Sequence, residues 1–187
     1  MRADARRKRD QIITAALHQI QTRPNSEITL NGIASDAGVG IATLYRHFPS
    51  RSSLYDACAV VYIDRLETLL DDTLASFDAD PQGSFERFVW AIVDSGVGML
   101  AAALAAEPSA DGPRIIVERR DAFMHKVQLL IDEAVPHGIV APGQTALQLA
   151  SELTVATRPM ASALAEFLPD VRDRLVRHLI AGWRAEA

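Results

Sequence analysis

The sequence has one cysteine, Cys58, so no disulfide can form within the chain, and it reads as a protein of a reducing, cytoplasmic compartment. It lacks an apolar run of the roughly 18 residues that a membrane span requires. The longest candidate, Phe88 to Ala106, is interrupted by Asp94 and closed by Glu107, so no membrane partner is expected. The basic cluster Arg6-Arg7-Lys8-Arg9 leads into an amphipathic segment rather than an apolar one, which argues against a secretory leader. Strand-like alternation, internal repeats and low-complexity segments are absent. The five histidines, at 18, 47, 125, 137 and 178, show no metal-ligand spacing with acids or with Cys58. Gly38-x-Gly40-x-x-Thr43 fails the dinucleotide fingerprint and follows no strand, and neither a nucleophile elbow nor a phosphate loop is found. No metal, no cofactor and no enzymatic activity are therefore expected. Cys58 falls on a core-facing helical stripe and reads as a small buried hydrophobe.

What is present is helix and an uneven charge distribution. The net charge of −5 conceals a basic head. Residues 1–51 hold eight basic and four acidic groups, a net +4, and the remainder holds eleven and twenty, a net −9. A basic head on an acidic body points to a polyanionic partner for the head alone.

The head reads as three helices. Ile12, Ile13, Ala16, Leu17 and Ile20 form one apolar stripe on a helix from Ala3 to Gln21, which Pro24-Asn25 ends. Thr29 is suited to cap a short helix, Leu30 to Ala37, that Gly38 terminates. A third helix runs from Ile41 to His47. Ser50 then caps a long fourth, Arg51 to Phe77, with the stripe Leu54, Cys58, Val61, Ile63, Leu66, Leu70, Leu74 and Phe77. Further along, Asp78 to Gly83 reads as a linker, Ser84 to Ala106 as one helix apolar nearly all round, and the segment after Pro113 as a helix through Val135. The last two helices are expected at Pro142 to Phe167, kinked at Pro159, and at Pro169 to Ala185.

The second and third helices, joined at Gly38-Val39-Gly40, make a helix-turn-helix. Leu44 and Phe48 face the core, which leaves Ala42, Thr43, Tyr45, Arg46 and His47 outward, able to contact bases and phosphates in a major groove. The arm at Arg6, Arg7 and Lys8 is a further candidate for phosphate or minor-groove contact.

The segment Ala37-Gly-Val-Gly-Ile-Ala-Thr-Leu-Tyr-Arg-His-Phe-Pro-Ser-Arg51, with Leu54 after it and Ile28-Thr-Leu-Asn-Gly-Ile-Ala34 before it, resembles the signature of the TetR family of bacterial regulators. The resemblance covers about residues 9–55. It implies an all-α fold of about nine helices: a three-helix DNA-binding domain, residues 1–50, and a helical effector-binding and dimerisation domain, residues 51–187. It implies DNA contacts at Thr29, Asn31, Ile41, Ala42, Thr43, Tyr45, His47 and Arg51, to which surface geometry adds Arg46. Three departures stand out. Gly40 replaces the usual serine, at a cost of about 1 kcal/mol in helix capping. Arg51 replaces a lysine and keeps its charge for a phosphate. Arg23-Pro-Asn-Ser26 replaces the usual glycine between the first two helices.

The resemblance also implies an effector cavity around helices five to seven. An apolar cavity suits a hydrophobic small molecule, and Tyr62, Trp90, Met99, Phe123, His125 and Arg158 are its candidate ligands. Arg158 sits alone in an uncharged stretch, with a salt bridge to Glu152, to Glu166 or to the partner chain as its structural alternative. Leu149, Leu153, Met160, Leu175, Leu179 and Trp183 recur at helical spacing and are the candidate homodimer contacts, with small residues such as Ala150, Ala156 and Ala161 permitting close approach. The expected function is a repressor that binds a palindromic operator on double-stranded DNA as a homodimer and is released by a small molecule. Alternatives are an activator, a regulator without effector, or an all-helical enzyme or adaptor.

Overall fold

The computed structural model describes residues 2–106, 114–158 and 167–184. Among them are nine α-helices and no strand: α1 (Arg2–Thr22), α2 (Leu30–Asp36), α3 (Ile41–His47), α4 (Arg51–Ser76), α5 (Pro81–Asp94), α6 (Val97–Ala106), α7 (Arg114–Ala134), α8 (Ala146–Ala156) and α9 (Val171–Trp183). No single described helix is long and apolar enough to cross a membrane. The expected kink at Pro159 and the interface candidate Met160 lie outside the described residues, as does Ala161.

The chain forms two compact units, residues 1–62 with 99–117 and residues 63–98 with 118–187. The partition expected from the sequence, at residues 50 and 51, follows helix ends. The compact units part inside α4, after Tyr62, and inside α6, after Gly98.

In the first unit, α1 packs on both α2 and α3. Ile12, Ala16 and Ile20 of α1, Ile33 of α2 and Leu44 of α3 are all buried. Each short helix has a local reason to start and stop. Thr29 Oγ1 accepts the Gly32 N–H at 3.0 Å and so caps α2. At its other end the Val39 N–H reaches Ala34 O and the Gly38 N–H reaches Ser35 O, both at 3.0 Å. That pair of bonds requires a left-handed residue between them, which Gly38 supplies at φ +64. Gly40 precedes α3 and gives it no side-chain cap, as its lack of a hydroxyl dictates.

The second unit departs from the sequence expectation in three places. The segment Asp78 to Gly83 is not a linker: Phe77–Ala79 is a 3-10 turn, and α5 already begins at Pro81. Asp80 starts it by accepting the Gly83 N–H at 3.0 Å, and proline is favoured at a first helical position. The single helix expected to run on to Ala106 is two, broken at Ser95-Gly96, where Gly96 turns left-handed at φ +78. The helix expected from Pro142 begins at Ala146, because Thr145 and Gln148 form a reciprocal capping box, and Gly143, at φ +90, turns the chain just before it.

The core of this unit includes Phe85, Phe88, Val127, Leu130, Leu149 and Leu153. Gly98 allows a close helix approach: its N–H donates to Thr157 Oγ1 at 3.1 Å, and a Cβ there would stand 2.4 Å from the Thr157 carbonyl carbon. Two ion pairs join α4 to α7, Asp64 with Arg119 and Asp71 with Lys126, the latter at 2.9 Å. The hydrogen bond that Lys126 donates to the Asp71 carboxylate holds its ammonium protonated above its ordinary range.

Candidate nucleic-acid interface

The α3 helix is seven residues long, and its inner edge is fixed by Leu44, which is fully buried, and by Phe48 at its end. The outer edge is open. Ile41, Ala42, Tyr45 and Arg46 are exposed, and Thr43 and His47 are half-buried beside them. Tyr45 keeps 49% of its surface in water although it is a large aromatic, which has no explanation in packing. The Arg46 guanidinium donates to Thr43 Oγ1 at 3.0 Å, so one side chain on this face orients the other. Thr29 and Asn31, on the edge of α2, are exposed as well. Thr29 spends an oxygen lone pair on capping, and its hydroxyl hydrogen takes no part in that bond.

The N-terminal arm is helical from Arg2 onward. Arg7 and Lys8 both pair with Asp4, at 2.8 and 2.9 Å, and these two neighbours depress the Asp4 carboxyl. Arg9 lies over the Phe48 ring at 5.3 Å, a contact that joins α1 to the end of α3 and that the sequence pattern did not single out. Gln19 was missed too. It is 1% exposed and donates from Nε2 to Asp36 Oδ2 at 2.7 Å, tying α1 to the end of α2, while its Oε1 is buried without a hydrogen-bond partner. A polar residue inside the apolar stripe of α1 was the available signal.

Arg51 does not stand where the sequence expectation puts it. Its guanidinium is turned into the head and bonds to the carbonyls of Asn25 and Ile28, to Asn25 Oδ1 and to the Tyr55 hydroxyl.

In the second unit, a cavity of about 870 Å³ is lined by residues of α7 and α8 together with Val97. Phe123, His125 and Arg158 are among its walls; Tyr62, Trp90 and Met99 are not. Phe123, Met124, Val97 and Ala150 also border a smaller apolar void of about 50 Å³. Glu152 does not pair with Arg158: it accepts the Trp183 indole N–H at 2.5 Å. Of the dimer candidates, Leu149, Leu153 and Trp183 are core residues of their own chain, 1–4% exposed, and so have no surface to offer a partner. Leu175 is exposed and Leu179 half-buried, and both line a shallow groove with Val155 and Ala156. Leu147, Val155 and Phe167 are the larger exposed apolar groups, at 71%, 63% and 82%. Helical spacing identifies an apolar stripe without saying which of two neighbours a helix turns it toward.

Residues 12–58 match the family model of bacterial regulatory proteins, tetR family. The HTH-type transcriptional regulator EthR of Mycolicibacterium smegmatis is 26% identical over 178 residues, covering 92% of this chain and 82% of that protein. The nucleoid occlusion factor SlmA of Idiomarina loihiensis is 32% identical over 71 residues, only 38% of this chain and 36% of its own length. The crystal structure of the TetR transcription regulatory protein from Mycobacterium vanbaalenii shares the fold, with a TM-score of 0.62 at 24% identity over 98% of this chain and 99% of that one. The match covers α2 and α3, whose outward face has no packing role, and the fold is shared end to end: residues 12–58 are a helix-turn-helix head of the tetR-family type, on a chain that has the fold of solved TetR regulators.

Proposed function

We propose that the protein is a cytoplasmic homodimeric repressor, which holds a palindromic operator and releases it when a hydrophobic small molecule binds. The observation that carries the DNA half of this reading is the exposed row Ile41, Ala42, Tyr45 and Arg46 on a helix whose opposite edge is locked by Leu44. Ile41, Ala42 and Thr43 are the base-reading group, and Tyr45, Arg46, His47, Thr29 and Asn31 set the register on phosphates. A single seven-residue helix reads only a few base pairs. Two copies one DNA turn apart, about 34 Å, would give a palindromic site its length.

Dimerisation is supported by the exposed apolar groups of α8 and α9, Leu147, Val155 and Leu175, and by Phe167 between those helices in sequence. The effector is supported by the cavity on α7 and α8, whose volume is in the range of small-molecule sites. Its apolar floor suits a hydrophobic body, and Arg158 and His125 at its walls suit a polar or acidic substituent.

The test is a mobility shift with DNA from upstream of the protein's own gene. Tyr45→Ala and Arg46→Gln should weaken binding while size-exclusion still shows a dimer, and wild-type affinity should fall steeply with salt. Loss of sequence-selective binding by the wild type would sink the reading. For the effector, a compound that raises the melting temperature must also lower DNA affinity; stabilisation without that change would remove the release step.

A further inference from the structure

An arginine at the first position of α4 invites the role of a phosphate clamp, and its geometry points elsewhere. We infer that Arg51 is a positioning residue: it fixes the turn before α2 onto the first turn of α4, and it does not neutralise an operator phosphate. A guanidinium carries five N–H groups in a rigid plane. In this head Nε donates to the Tyr55 hydroxyl at 3.1 Å and Nη1 to Ile28 O at 3.0 Å. Nη2 is shared among Asn25 O at 3.1 Å, Asn25 Oδ1 at 2.9 Å and the Tyr55 hydroxyl at 2.7 Å. The Tyr55 hydroxyl in turn donates to Asn25 Oδ1 at 3.0 Å. The guanidinium carbon lies 5.1 Å from the centroid of the Tyr55 ring, and Tyr55 is fully buried.

The acceptors come from two places distant in sequence. Asn25 and Ile28 bracket the 3-10 turn Asn25–Glu27, and Tyr55 is one turn along α4 from Arg51 itself. That 3-10 turn delivers Thr29 to the cap of α2, and α2 packs against α3. The position of the recognition surface therefore depends on where the Asn25–Ile28 turn sits, and Arg51 holds that turn at both ends. Swinging out to a phosphate would strip carbonyls in a part-buried site of their donor, a cost that one solvent-exposed phosphate contact does not return. A lysine cannot substitute. Its ammonium is a point charge that cannot span acceptors arranged around a plane.

The two roles predict different salt behaviour. Affinity is measured by fluorescence anisotropy, as a function of KCl, on a fluorescein-labelled duplex selected by the wild-type protein from a random pool. Arg51→Lys and Arg51→Gln should weaken binding alike, by about tenfold. The slope of log affinity against log salt should stay at the wild-type value, because no phosphate contact is lost. Asn25→Ala, which leaves every charge in place, should weaken binding in the same direction with the same slope. Arg46→Gln is the control for a phosphate contact and should lower the slope by about 1. In the free protein, amide exchange at Ile28 and Gly32 should be faster in Arg51→Lys than in wild type. Wild-type affinity in Arg51→Lys together with a slope lowered by about 1 in Arg51→Gln would overturn the assignment, as would unchanged amide exchange at Ile28 in Arg51→Lys. Should the wild type select no duplex, the DNA-binding reading itself fails, and the exchange measurement still decides the role of Arg51.

Discussion

The head and the body of this chain are both helical, but their helices are defined by different means. In the head, short helices begin and end on residues that a sequence displays: Thr29 before α2, Gly38 after it, and Ser50, whose Oγ accepts the Ser53 N–H at 3.0 Å, before α4. In the body, α5 and α8 also begin on local caps, Asp80 and the Thr145–Gln148 box, but the apolar helices α5 and α6 are parted by one turn at Ser95-Gly96, and Gly98 is required by its close packing on Thr157. Local signals are thus enough for the short helices of the head, whereas the body adds positions that only tertiary fit explains.

The sharpest way to break this comparison is to remove a packing residue from the head. Leu44→Ala should cost about 2–5 kcal/mol of head stability and abolish operator binding. Both tryptophans, Trp90 and Trp183, lie in the second unit and all three tyrosines in the first. Urea unfolding followed by tryptophan fluorescence should therefore keep its midpoint in this variant, while circular dichroism acquires an earlier step. A common shift of both signals would show that the two units unfold as one.

A pair of glycines gives the next effect. Gly98→Ala places a Cβ against the Thr157 backbone and should destabilise the body by about 1–3 kcal/mol in a thermal melt. Gly40→Ala, where a Cβ meets nothing within 4 Å at a φ of −71, should change stability little. Equal effects of the two would remove the distinction between a packed body and an open turn. Gly40→Ser restores the missing hydroxyl cap of α3 and should stabilise the head by about 1 kcal/mol, read by the same melt.

The smallest effect concerns acid. Arg87, at 3.0 Å, and the Gly83 N–H hold the Asp80 carboxyl below its usual range. A depressed carboxylate contributes stability at pH values above its unfolded pKa and loses it as pH falls through the folded one. The first turn of α5 should thus loosen in acid below the ordinary aspartate range, seen as faster amide exchange at Gly83. In Asp80→Asn that exchange should not depend on pH beyond its chemical rate. The caps of α2 and α4 are hydroxyls and should show no such dependence.

Much of the head was legible in advance. The α3 helix has the limits that the sequence implies, Ile41 to His47, and Thr29 caps α2 as expected. What escaped was side-chain direction. A basic residue at position 51 is equally compatible with an outward clamp and an inward brace, and Asn25 with Tyr55 decides between them only once the chain is folded. The stripe of α4 placed Leu54, Cys58, Leu66, Leu70 and Phe77 inside, but its Val61, Ile63 and Leu74 are only half-buried and it left out the buried Tyr55 and Tyr62, because a fixed period cannot follow a helix that changes its neighbours along its length. The capping box at Thr145 and Gln148 was readable as spacing alone. Trp183 was not, since its partners, Glu152 by hydrogen bond and Phe85 edge-on at 6.4 Å, come from α8 and α5.

The two ion pairs between α4 and α7 share one spacing: seven residues separate Asp64 from Asp71, and seven separate Arg119 from Lys126. The helices run in the same direction, with Glu67 between the two acids and already acting on Lys126. They therefore mesh like a rack with a spare tooth. A slide of one helical turn, about 5.4 Å, would bring either Arg119 or Lys126 toward Glu67 and leave the other basic group facing no acid. Tilting stretches both pairs together, whereas sliding keeps one and gives up the other. A shift of α7 along α4 by one turn would therefore exchange two ion pairs for one, and the charge at position 67 decides whether that one is kept.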